Sequence, residues 1–397
     1  MPKADDAIDD PSILFSPCRI GPRVAPNHFV VQPMEACDGL HGAVSERSLA
    51  RYSRLAEGGW GVIIVEATSV TSTSMARLGG FRLAESTQKS FASLVRELKA
   101  RNPEGLLILQ LTHSGPLSHP ETDRVSVCPN PPAGFRCLSS DEIEGVRRQF
   151  VHAAHLAEEV GFDGVDLKLC HGYLGAEMLR PANTRKDEWG GTFENRTRFV
   201  VRAFEEIQSR VSSKDFVLGS RISFYEGTPG GSGTNSPTSA AFDPSENYAL
   251  IELMRRLELS YVNISGFGTA DPGSEELPPE EVRVRTLWYE RLAKSFIERE
   301  SLHLAVMGSG YSVFGQDSPA VASRRLRRGY TDLVGFGRQS FADPLFPAKV
   351  RSGEPFHNCM DCGVCTERML GGQHSGCAVH DQEYRKFFRE AKRTLSH

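Results

Sequence analysis

Three side chains able to bind an anion or move a proton stand close together in KLCHGY: Lys168, His171 and Tyr173. Lysine brings a positive charge with three donors, and histidine exchanges protons near neutral pH. A tyrosine hydroxyl can deliver a proton from a pKa of about 10. Such a trio could hold a carboxylate, an enolate or another oxyanion and protonate an atom beside it. A second grouping lies far along the chain, Cys359-x2-Cys362-x2-Cys365-x11-Cys377. Four thiolates so spaced bind a [4Fe–4S] cluster or a zinc ion, and spacing alone does not choose between them. Cys18, Cys37, Cys128, Cys137 and Cys170 are scattered. The leading MPKADDAIDDP lacks the apolar run of an export signal, so the tight cluster reads as metal ligation in a reducing cytoplasm, not as disulfides.

The elements that must position these groups follow an alternating pattern. GVDLKL, Gly164 to Leu169, reads as a buried parallel strand ending at Lys168. A polar loop with Pro181, Gly190 and Gly191 follows, and Glu194 opens a helix over 194–211. Reactive residues at the carboxyl end of a strand, before a long loop, are how a (β/α)8 barrel builds a site. The other strands read as Phe29 to Pro33, Val62 to Glu66, Leu106 to Leu111, Val217 to Ile222, Tyr261 to Ile264, His303 to Met307 and Asp332 to Phe336. Helices are expected through SERSLARYSRLAEGG, near 87–101 and over 140–160, the last with Ser139 and Ser140 as candidate caps. The expected organisation is α/β: residues 1–28 as a leader and cap, 29–352 as the barrel, 353–397 as a cysteine-rich extension with a final helix. A doubly wound nucleotide fold is disfavoured, because no GxGxxG follows the first strand. The stretch 228–243 is rich in Gly, Ser, Thr and Pro, and reads as a mobile loop over the site face.

Around Lys168 the residues resemble a known signature. Lys168-x-x-His171-Gly-Tyr173-Leu174 is followed by Arg180-Pro181-x-Asn183-x-Arg185-x-Asp187-Glu188-Trp189-Gly190-Gly191-x-x-Glu194-Asn195-Arg196-x-Arg198-Phe199. This is similar to the old yellow enzyme family of FMN-dependent oxidoreductases. The resemblance implies a TIM barrel whose amino-terminal mouth is plugged by residues 1–28, with FMN at the opposite mouth. Gln110 and Arg221 stand where the family places a Gln and an Arg on the flavin ring. An arginine there would stabilise the electron-rich N1/O2 edge. Pro33, Met34, Glu35 and Ala67 match segments beside the flavin. Glu35 departs from the usual Thr, Cys or His, and a carboxylate there opposes reduction unless it is protonated or paired. Gly308, Ser309, Gly310, Gly337 and Arg338 would hold the phosphate.

For the reaction, the resemblance implies reduction of an activated C=C bond by hydride from FMN N5. Lys168 and His171 would stabilise negative charge, and Tyr173 would supply the proton. Lys168 replaces the family's first His and points to an anionic substrate; its other reading is a structural ion pair with Asp166 or another acid. Asn183, Arg185, Asp187 and Glu188 read as a network locking the loop. The cysteine spacing resembles the branch containing trimethylamine dehydrogenase and 2,4-dienoyl-CoA reductase, which favours [4Fe–4S] over zinc. Those relatives continue into FAD- and NAD(P)H-binding domains. This sequence ends about twenty residues after Cys377, so a separate electron-transfer protein is the expected partner, with NAD(P)H open as reductant and a homo-oligomer left open. The rivals are oxidative N-demethylation of an amine and a non-catalytic electron-transfer subunit. A net charge of −4 gives no reason to expect nucleic acid, and no apolar run is long enough for a membrane span.

Overall fold

A computed structural model describes residues 8–386 and Phe388. Residues 1–7 of the expected cap and most of the expected final helix lie outside the described residues.

Eight parallel strands close into a ring: β1 (Phe29–Val31), β2 (Val62–Ser69), β3 (Leu106–Thr112), β4 (Gly164–Leu169), β5 (Val217–Ser223), β6 (Tyr261–Ser265), β7 (Ala305–Gly308) and β8 (Leu333–Phe336). The seam closes where Val334 pairs with Phe29 and Val30 with Val62. Every strand is short and rich in Val, Ile or Leu, as expected where both faces are covered. Helices wrap the outside, among them α1 (Glu46–Glu57), α2 (Gln88–Arg101), α3 (Ser140–Glu159), α4 (Phe193–Arg210), α5 (Ser245–Arg256) and α6 (Arg285–Arg299). The fold is a (β/α)8 TIM barrel. The start of α3 shows how local sequence fixes a boundary. Ser139 accepts from the Glu142 backbone, and Glu142 reaches back to the Ser139 N–H, a reciprocal capping box.

Inside the ring, side-chain chemistry changes with height. Near the amino-terminal ends Val30, Val62, Ile64, Leu106, Ile108, Val217 and Leu333 form an apolar layer, and Cys18, Ile20 and Ala25 belong to the same cluster. Those three come from a small hairpin, Cys18–Ile20 against Arg23–Ala25, which packs into the lower mouth. Higher up the interior turns polar. Gln32 and Asn263 exchange hydrogen bonds of 3.1 and 2.8 Å. Asp166 accepts from Gln110 at 2.8 Å and from the Tyr261 hydroxyl at 2.9 Å. Polar groups in so dry a place must be paired, and they form the floor of the upper mouth.

The stretch 228–243 differs from expectation. Gly230, Gly231, Ser232, Gly233 and Thr234 are buried. The Ser232 N–H donates to Glu226 Oε2 at 3.0 Å, and the Tyr225 hydroxyl donates to the Ala240 carbonyl at 2.6 Å. Its glycines allow the tight packing that a composition-based reading takes for mobility. No described helix is long and apolar enough to cross a membrane.

Candidate active site

At the carboxyl end of β4 the backbone is held in an uncommon conformation. His171 has φ of +61°, left-handed for a residue with a side chain, and Gly172 follows at +75°. Two serines from neighbouring strands pin the histidine. Its N–H donates to Ser223 Oγ at 2.9 Å, and its Nε2 lies 2.7 Å from Ser265 Oγ. Such strain persists only where surroundings fix it, and it recurs at functional sites. Burial, together with nearby Arg221 and Lys168, lowers the His171 pKa well below its ordinary value. The ring is therefore neutral and able to donate one hydrogen bond. Phe267, 53 % exposed, lies against it with ring centres 5.1 Å apart.

Lys168 does not pair with Asp166, which is committed below to Gln110 and Tyr261. Its partner is Glu35 on the loop after β1, with Nζ 2.9 Å from Oε1. The Tyr173 hydroxyl donates to the same Oε1 at 2.8 Å, and the ammonium sits 3.3 Å from the tyrosine ring centre. Arg77, from the loop after β2, donates to the other oxygen of Glu35 and, at 2.7 Å, to the Tyr173 hydroxyl oxygen. Burial pushes the Glu35 carboxyl up, but Lys168 and Arg77 pull it further down, to about 2. It is ionised, and its charge is answered twice over. Burial and the Glu35 charge raise the Tyr173 pKa, which keeps its proton in place. Sequence reading missed Arg77; its one signal was a lone arginine in the polar loop TSTSMARLGG after a strand.

On the adjacent strand β5, in register with Lys168, Arg221 is differently placed. Among the described residues its side chain has one hydrogen bond, to Ser265 Oγ at 3.3 Å, and its buried Nε has no partner there. Arg221 and His171 thus meet at one serine, on one face. Ser265 and Ser223 were also missed, although both are polar residues ending apolar strands. Gln110 lies on the floor beneath, 1 % exposed. Burial raises Asp166 to about 6, against the pull of Gln110, Tyr261 and Arg221. Ala67 sits in a bulge of β2, where pairing with β3 shifts register between Val65 and Thr68. An under-partnered guanidinium above a Gln-bearing floor fits the electron-rich edge of a flavin.

Of the glycines, Gly308 has no room for a side chain, since a Cβ would fall 1.8 Å from Glu290 Oε2. Gly310 has φ of +97°. Ser309 donates to the Ile264 carbonyl at 2.7 Å. Gly337 packs on Met34, whose sulfur would be 2.7 Å from an added Cβ, which brings two expected cofactor residues, together with neighbouring Pro33, to the same rim. Arg338 is drawn elsewhere: it pairs with Asp361 in the cysteine motif.

Cys359, Cys362, Cys365 and Cys377 line one small pocket together with Arg338 and Phe341. All four are free thiols. The Asp361 N–H donates to Cys359 Sγ at 3.4 Å, and the His380 N–H to Cys377 Sγ at 3.3 Å. Among the described residues no three His, Cys, Asp or Glu side chains are gathered to hold a single metal ion. The segment is tied to the active-site loops. Ser375 N–H donates to the Ala36 carbonyl at 2.8 Å, and Arg77 Nε to the Met369 carbonyl at 2.9 Å.

Residues 13–356 match the model of the NADH:flavin oxidoreductase / NADH oxidase family. The chain belongs to this family. It is 28% identical to an NADH oxidase of Thermoanaerobacter brockii, over 88% of this chain and 53% of that one. With a cinnamate reductase of Clostridium sporogenes the identity is 25%, over 94% and 58%. The structure of histamine dehydrogenase from Rhizobium sp. 4-9 superposes with a TM-score of 0.75 and 28% identity, over 93% of this chain and 52% of that one. The chain therefore spans about half the length of these relatives. The family is one of FMN-dependent oxidoreductases, so FMN is the flavin against which this mouth is to be tested.

The loop expected as a locking network is one. Asn183 donates to the carbonyls of Met178 and Trp189 at 2.9 and 2.8 Å, Arg185 pairs with Asp187, and Glu188 with Arg202.

Proposed function

We propose that this chain reduces the activated C=C bond of an anionic acceptor, such as a conjugated carboxylate. The observation that carries the reading is the pair of cations, Lys168 and Arg77, that grip one internal carboxylate, Glu35, beside a protonated Tyr173. With His171 neutral, Lys168, Arg77 and Glu35 sum to one positive charge, and Arg221 adds another. A substrate carboxylate can compete with Glu35 for Lys168 and Arg77. As that exchange proceeds, Tyr173 loses its hydrogen-bond acceptor and its proton is free to pass to the substrate α-carbon. Arg77 already donates to the phenol oxygen, so it would hold the phenolate until water reprotonates it. His171 and Ser265 offer donors to oxygen on which charge grows. When bound, FMN supplies the two electrons and the hydrogen that the β-carbon gains. Arg221 would support its electron-rich edge, and Gly308, Ser309, Gly310 and Gly337 its phosphate side.

For the cysteine pocket we favour a [4Fe–4S] cluster. A zinc ion at about 2.3 Å from each sulfur would draw four thiolates together around one point. A cubane binds each thiolate at its own iron and leaves them farther apart. The cysteine spacing resembles the iron–sulfur branch of the family, the four thiols share one pocket, and two of them already accept backbone N–H groups.

Amine dehydrogenation, the chemistry named in one structural relative, is disfavoured by the same charges, because a cationic amine would meet Lys168 and Arg77. Rapid mixing decides between them. Pre-reduced protein should be reoxidised by cinnamate, and oxidised protein should not be bleached by dimethylamine. Bleaching by the amine with no response to cinnamate would overturn the reading.

A further inference from the structure

A cavity of about 460 Å3, with none of Glu35, Arg77, Lys168, His171 or Tyr173 in its lining, lies between the loops after β2 and β3 and the outer face of α3. Its size lies within the range that holds small organic ligands, about 300–1,000 Å3. Leu83, Val125 and Leu138 give it apolar walls. Three polar groups on its lining lack partners. The Nε of Arg82 and Oγ1 of Thr71 are both buried without a hydrogen bond. His113, only 3 % exposed, is the third. Its Nδ1 accepts the Gly115 N–H at 3.2 Å. The neutral ring must then carry its proton on Nε2, and that nitrogen has no partner among the described residues. Burial holds the ring neutral, with its pKa lowered to about 4.

The uncommitted groups are thus donors: Arg82 and His113 can only donate, and Thr71 can. The acids around them are already engaged. Arg136 holds Asp123 and Glu142 at 2.6 and 2.7 Å, and His152 lies 2.7 Å from Glu85. Of the uncommitted donors, Arg82 Nε and Thr71 Oγ1 are buried, and buried donors left without acceptors are costly, which marks the place where an acceptor-bearing ligand would gain most. We propose that this cavity is a second ligand site, taking an amphipathic monocarboxylate whose oxygens meet Arg82, His113 and Thr71 and whose carbon chain lies on the apolar walls. A phosphate dianion fits less well, since it would bring two negative charges, where a carboxylate brings one, beside Asp123, Glu142 and Glu85. The site is separate from the Lys168 pocket and does not depend on the proposed reaction.

The test is calorimetric titration of the full chain with octanoate, with octyl phosphate and octylamine as comparison probes. Wild type should bind octanoate saturably, and Lys168→Met, which damages the catalytic anion pocket, should keep that binding. Arg82→Gln should weaken it roughly tenfold, the scale of one lost charged hydrogen bond. Thr71→Val, a near-isosteric change, provides a second arm should Arg82→Gln unfold, and it should weaken binding a few-fold. Tighter binding of octyl phosphate or octylamine would overturn the assignment of ligand class. Binding lost in Lys168→Met but unchanged in Arg82→Gln and Thr71→Val would place octanoate in the catalytic mouth and overturn the site. Absence of saturation in wild type would overturn it too.

Discussion

Two arginines at one barrel mouth are treated in opposite ways. Arg77 is fully engaged: it meets Glu35, the Tyr173 hydroxyl and the Met369 carbonyl. Arg221 has a single serine, with a buried nitrogen left over. Burying a guanidinium without an acceptor is unfavourable, so the difference marks which side is complete within the protein and which is built for something added. On the Arg77 side the chain supplies its own carboxylate, which the proposed reaction would exchange for a substrate's. On the Arg221 side the nearby carboxylate, Asp166, is taken up by hydrogen bonds from Gln110 and Tyr261.

The sharpest break would come from Tyr173→Phe. If the hydroxyl between Arg77 and Glu35 is the proton source, single-turnover reduction of cinnamate by pre-reduced protein should slow by about 10²–10⁴-fold. An unchanged rate would leave the Arg77 side without a catalytic role. Next, Lys168→Met should lower kcat/KM for carboxylate acceptors by about a hundredfold, and for a neutral enone by much less; equal losses would mean that Lys168 does not select for charge.

Glu35→Gln tests the internal carboxylate. Glu35 has a folded pKa near 2, below its ordinary 4.5. Its stabilisation is therefore present above about pH 4.5 and lost as pH falls toward 2. The full shift corresponds to roughly 3 kcal/mol. Urea midpoints of the variant should lie below wild type at pH 7 and approach it at pH 3, while benzoate binds the variant several-fold more tightly. Parallel pH curves would contradict the ion-pair account. The smallest effect belongs to Phe267→Ala, which strips the exposed ring from His171 and should raise KM for aromatic acceptors by a few-fold with kcat little changed.

What could be read from the residues alone divides along similar lines. The barrel was legible because each strand is a short Val/Ile/Leu run, and Gly164–Leu169 appears with the expected bounds. The cap at Ser139 was legible because a capping box is local in sequence. The trio on β4 could be picked out, but its partners could not. Lys168 and Glu35 are separated by 133 positions, and only the closed ring brings them together. Asp166, two residues from Lys168, was the nearer candidate on the same inward face. It sits one layer lower, where Gln110 and Tyr261 claim it. Arg77 and Ser265 were invisible for the same reason: their roles are set by what lies across the mouth. The 228–243 stretch misleads in the other direction, since its glycines serve close packing.

The central claim of the proposed reading is that Arg221 Nε lacks an acceptor because a flavin would provide it. FMN titration of reconstituted protein, followed by fluorescence quenching, tests this most directly in Arg221→Met. The variant should keep its thermal midpoint without flavin yet bind FMN about 10–100-fold more weakly, the loss expected for a buried charged hydrogen bond. Equal FMN affinity in wild type and variant would contradict the account.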